Sequence, residues 1–175
     1  MKKRWIVLGL VVLFFILASL GGEESENQQA APTVTSASTA TPTSTSMPTS
    51  QLSDSDREFI NWVIQTDHRV MDALKFAVDA ANSNNFSALE LGGAMLRYEA
   101  EMALSEIDDF KISDELEDLR DEFKLALIDF KLAGINLEYG VRDNDAEKIN
   151  RATEYINSAS EHLTKSTELA DKLLS

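Results

Sequence analysis

His68 and His162 are the only imidazoles in the 175-residue chain. A pair of imidazoles on neighbouring helices is one way a helical protein holds a metal or a haem. A di-iron bundle site needs Glu-x-x-His on two helices. Gln65 and Ala159 stand where those glutamates belong, so that site is excluded. Haem ligation by His162 with Met71 or His68 competes with two histidines that merely flank an apolar seam, and no cofactor is expected. Asp67 falls on the apolar line of its helix, where a carboxylate is costly unless paired. Arg97 and His162 are its candidate partners, and Asp67, Arg97 and Met102 together outline a candidate ligand space between helices.

Trp62, Arg69 and Phe76 recur at seven-residue spacing beside the same line. They are read either as an aromatic partner surface or as a wider core stripe. Around residues 106 to 124, nine acidic side chains oppose Lys111, Arg120 and Lys124. Asp114, Asp118, and Asp121 or Glu122 recur every three or four residues and form a candidate weak cation face. The competing reading is a solvated helix start, where the macrodipole favours acids. Asn85-Phe86-Ser87 is a candidate glycosylation sequon on a turn.

The chain lacks cysteine, which excludes disulfides, Cys-ligated zinc, iron-sulfur clusters, a thiol nucleophile and an N-terminal acyl-Cys anchor. Residues 52–175 carry no phosphate-binding Gly loop, Ser-His-Asp set or zinc motif, so no enzymatic activity is expected. They hold 13 basic and 27 acidic residues, the whole net charge of −14, which excludes nucleic acid as a partner.

The elements that position these residues follow from periodicity. Residues 52–175 contain no proline and four apolar lines at spacings of three and four. They run Ile60–Ala81, Leu89–Phe110, Leu116–Val141 and Ile149–Leu173. Capping boxes are read at Ser55–Glu58 and Ser87–Glu90, with further start signals at Ser113 and at Asn144–Glu147. Breaks fall at Asn82–Asn85, Lys111–Ile112 and Gly140–Asn144. Short joints force neighbours antiparallel, so the expectation is an all-α, up-down-up-down four-helix bundle. Gly92, Gly93, Ala152 and Ala159 would allow close helix approach.

Two segments precede the bundle. Residues 1–22 carry Lys2, Lys3 and Arg4 before an apolar run from Trp5 to Leu20. This predicts a signal peptide or a membrane anchor through residues 5–20, with the N-terminus inside and the rest outside. The run would span about 24 Å as helix, short of the roughly 30 Å hydrocarbon core. Ser19-Leu20-Gly21 fits a cleavage site, so both fates stay open. Residues 23–51 hold 13 Ser or Thr and all three prolines, which predicts a disordered linker with a reach of about 30 Å. The stretch from Phe110 to Leu173, with Ser113-Asp-Glu-Leu116, Ala126-Leu127, Ala133-Gly134 and Gly140 followed by Asp145, resembles exported proteins built as small bundles on a signal or anchor segment. That resemblance implies no catalytic residue.

The functional expectation is a non-enzymatic extracytoplasmic bundle acting in protein interaction or envelope association. It would take an envelope protein partner or a second copy of itself. The alternative is a ligand-binding or sensing bundle that acts through a partner protein, since no second apolar span is present to return a signal.

Overall fold

In the computed structural model, which describes residues 52–174, four helices account for nearly all of the described residues. They are α1 (Asp54–Asn82), α2 (Phe86–Glu106), α3 (Glu117–Asp143) and α4 (Ala146–Leu174). No strand occurs among the described residues. The predicted membrane segment and the Ser/Thr/Pro linker lie outside them. Asn84 and Asn144 both have φ 54°, the left-handed conformation that asparagine tolerates better than most residues. Each reverses the chain within a few residues, and the antiparallel up-down-up-down arrangement follows.

Three helix starts differ from the sequence expectation by one or two residues, each for a hydrogen-bonding reason, while α3 starts at Glu117, after a 3-10 turn that Ser113 leads without a side-chain cap. Ser53, not Ser55, caps α1, and its partner in the capping box is Asp56 rather than Glu58. The Asp56 carboxylate also accepts the Ser113 backbone N–H at 2.8 Å, a long-range tie that Glu58 does not make. On α2 the cap is Asn85, whose Oδ1 accepts from Ala88 N, rather than Ser87. On α4 it is Asp145, whose Oδ1 accepts from the Glu147 and Lys148 backbones, because Asn144 already ends α3. The α2–α3 connection is longer than the Lys111–Ile112 joint expected. Single 3-10 turns at Ile107–Asp109 and Asp114–Leu116 bracket it. Asp108 and Asp109 oppose the dipole at a helix C-terminus, and Asp108 instead pairs with Lys124 of α3 at 2.6 Å.

Most of the core lies on the predicted seams, but Phe59, Ala73 and Leu127 are buried off them, and Ile60, Val63 and Asp67 of the first seam are only half-buried. Val70, Leu74, Leu96, Phe123, Phe130 and Ile156 are each at most 1% exposed. Glycines bring α2 and α3 together. A Cβ on Gly134 would lie 2.5 Å from Arg97 N, and one on Gly93 would lie 2.6 Å from Glu138 N. Gly92 abuts Ala77 of α1 in the same way. Trp62, Phe59, Phe110 and Phe123 make an aromatic cluster with ring centroids 5.1–6.0 Å apart, which closes the end of the bundle nearest residue 52.

The packing is not a closed ring. α1 packs closely on α2, α2 on α3 and α3 on α4, whereas the backbones of α1 and α4 stand farther apart. The seam residues left half-buried gather along that gap: Ile60 and Val63 of α1, and Leu163 and Ala170 of α4.

Candidate functional site

The gap between α1 and α4 is a cleft of about 480 Å³. Ile60, Val63 and Met71 form one wall, Leu163 and Ala170 the other, and Phe123 of α3 lies beneath. The polar groups are unevenly distributed. α4 offers Ser160, Thr164 and Thr167, each of which donates its hydroxyl proton to its own helix, to the carbonyls of Ile156, Ser160 and Leu163. Their oxygens keep acceptor capacity toward the cleft. Ser166 is 4% exposed, and its hydroxyl makes no hydrogen bond among the described residues. Asp67 and Asp171 supply carboxylates, and no basic side chain lines the cleft among the described residues.

Asp67 is the one chemically distinctive group there. It makes no hydrogen bond or ion pair among the described residues. Burial pushes its carboxyl above the ordinary value, and the neighbouring His68 opposes the shift only in part.

The candidate ligand space of Asp67, Arg97 and Met102 is divided by the fold. Arg97 lies on the α2–α3 seam, with Nε 3.1 Å from Glu138 Oε2 and Nη1 4.0 Å from Glu101. Arg97 Nε and Glu138 Oε2 are buried but not aligned for a hydrogen bond, so charge alone joins them. Met102 is 39% exposed on the outside of α2. His162 is no partner of Asp67 either. Its Nδ1 is 2.6 Å from Glu122 of α3, and its Nε2 is 4.0 Å from Asp129. His68 is exposed on α1, so the two histidines do not form a pair.

The Trp62, Arg69, Phe76 row splits as well. Trp62 joins the aromatic cluster and donates Nε1–H to Glu106 at 2.9 Å, as the wider-core reading requires. Arg69 reaches Thr66 and Glu99, and only Phe76 is exposed as an apolar side chain. Of the acidic face, Asp114 sits in a 3-10 turn, and Asp121 is exposed beside Arg120. Asp118, Asp121 and Glu122 border one shallow dent, but Lys165 and Lys172 share it, and Glu122 faces His162. No group of three or more acidic, histidine or cysteine side chains is placed to hold a metal among the described residues. Asn85 is exposed, and its side-chain oxygen is engaged as the α2 cap.

Two features escaped the sequence reading. Asp56 is 2% exposed, and burial raises its carboxyl, yet hydrogen bonds from Ser113 and Ser53 outweigh that and hold it below the usual value. Its signal was present, since Ser53-x-x-Asp56 fits a capping box as well as Ser55-x-x-Glu58 does. The second feature is a set of apolar residues on the outside of α3: Leu125, Ile128, Leu132, Ile135 and Tyr139. Their spacing of three and four is as regular as that of the inner seam. Leu125 is 43% and Ile128 38% exposed, and the other three are half-buried without packing on the core.

No family model, curated protein or solved structure matches the chain, so the resemblance of residues 110–173 to exported bundles finds no counterpart in these comparisons.

Proposed function

We propose that the bundle is a non-enzymatic interaction module held outside a membrane by its N-terminal segment, and that two copies meet along the outer seam of α3. The single observation behind this reading is that seam. A helix with one core-facing stripe needs polar residues elsewhere, and five apolar residues at heptad spacing on the opposite side want a helical partner. The non-enzymatic part rests on the sequence, which offers no nucleophile or metal motif. The extracytoplasmic part rests on Lys2, Lys3 and Arg4 ahead of the Trp5–Leu20 run.

The seam's flanks select a second copy and its orientation. Lys124 and Lys131 line the α2 side, held there by Asp108 and Glu101. Asp129 and Asp143 line the α4 side, near His162 and Lys148. In a parallel pair the basic flank of each copy meets the acidic flank of the other, whereas an antiparallel pair sets like charges together. Parallel pairing also puts both N-terminal tethers at one end, as two copies in one membrane require.

Native mass spectrometry of the full chain in mild detergent should show a dimer that Ile128→Asp converts to monomer with helical content unchanged. Because the chain has no cysteine, single introduced thiols report the orientation. Ile128→Cys and Ile135→Cys should each cross-link in a parallel pair, while an antiparallel pair centred on the seam would cross-link only Leu132→Cys. A monomer at all concentrations would overturn the pairing. A second reading, a ligand-binding bundle that acts through its partner, is supported by the cleft between α1 and α4.

A further inference from the structure

We propose that the α1–α4 cleft takes an organic ammonium, its apolar body laid between Ile60, Val63, Leu163 and Phe123 and its cationic head at Asp67. The inference deepens the ligand-binding reading and is independent of the α3 seam.

The chemistry of the lining selects the charge. Three of the hydroxyls on the α4 side have already spent their protons on their own helix, leaving acceptors. Asp67 and Asp171 are acceptors when ionised, and only Ser166 keeps a hydroxyl proton to give. A neutral apolar ligand would fill the walls but strip more water from Asp67 without offering it a partner. An anion would add repulsion from both carboxylates and from a protein of net charge −14. A ligand that carries both an apolar body and an N–H donor cation satisfies the walls, the acceptors and the carboxylate together. The volume is in the range of small-molecule sites, roughly 300–1,000 Å³.

The closure of the other three helix pairs makes this gap specific. Glycine at Gly92, Gly93 and Gly134 draws α1 to α2 and α2 to α3, and nothing equivalent stands between α1 and α4. α1 presents branched apolar side chains there, and α4 answers with hydroxyls beside Leu163 and Ala170.

Three probes that share a phenethyl body separate the possibilities on the full chain in neutral detergent, followed by amide NMR: 2-phenylethylammonium, 2-phenylethanol and 3-phenylpropanoate. The expected result is saturable shifts confined to residues 60–71 and 160–171, the ammonium binding at least tenfold more tightly than the alcohol, and no binding of the carboxylate. Asp67→Asn should remove the tenfold preference and leave the alcohol's affinity in place. Equal affinity for ammonium and alcohol would overturn the cationic assignment while the cleft kept its role as a ligand site. Saturation by none of the three would overturn both. Ammonium shifts centred on residues 108–122 would mean attraction to the acidic surface, and would also sink the proposal.

Discussion

Asp56 and Asp67 lie eleven positions apart on α1, and their environments drive their carboxyls in opposite directions. Burial raises Asp56, but three backbone and side-chain donors from Ser53 and Ser113 prevail and lower it. A lowered carboxyl contributes stability that is fully present above the unfolded value and lost as pH falls through the folded one. Asp56→Ala should therefore cost about 2 kcal/mol at pH 7, from a lost cap and an unsatisfied Ser113 N–H. The gap between the two proteins should narrow as denaturation is measured below pH 3.8. Asp67 is raised by burial, so its ionised form weakens the fold at neutral pH, and the penalty disappears as pH falls below 3.8. Asp67→Asn should melt at a higher temperature than the parent at pH 7 and at the same temperature near pH 3. A lower melting point at pH 7 would show that the carboxylate has a stabilising partner. A residue that weakens the fold where it stands is what a ligand site with an unpaired carboxylate predicts.

At the scale of elements, the α2–α3 contact is decided by two side chains that are absent. Gly134→Ala would place a methyl 2.5 Å from Arg97 N and 2.7 Å from Gly93 O, both backbone atoms that cannot rotate away. Alanine is intrinsically the better helix former by about 1 kcal/mol, so the sign of the net effect is a real test. Overpacking should win, with a loss of about 1–3 kcal/mol in urea denaturation. A gain would mean that α2 and α3 can separate without cost. The same scale explains why the caps moved. Ser53, Ser55 and Ser87 all satisfy the local signature, and choosing among them took the position of Ser113 in a different turn and the left-handed Asn84.

The molecule as a whole carries a net charge of −14, with acids in excess along α3 and the α2–α3 connection. Self-repulsion of this kind loosens a compact state and is screened by salt. Raising NaCl from 0.01 to 0.1 M shortens the Debye length from about 30 to about 10 Å, and the melting temperature should rise with it. Calcium at matched ionic strength should add nothing further, because Asp114, Asp118, Asp121 and Glu122 do not converge on one point. A calcium-specific rise would restore the cation face as a binding site.

The four helices, most of their seams and their antiparallel order are legible in the sequence, because period, proline-free runs and short joints are local properties that each leave few alternatives. It showed Asp67 on an apolar line and Gly92 and Gly93 as points of close approach. Which side chains meet depends instead on how the helices rotate and pack. Arg97 turned to Glu138 and His162 to Glu122 because each faces the neighbour across its own seam, a matter of helix rotation that spacing along one helix does not reveal. The α1–α4 cleft likewise has no local signature. It exists because three helix pairs closed and the fourth, apolar residues facing hydroxyls, did not.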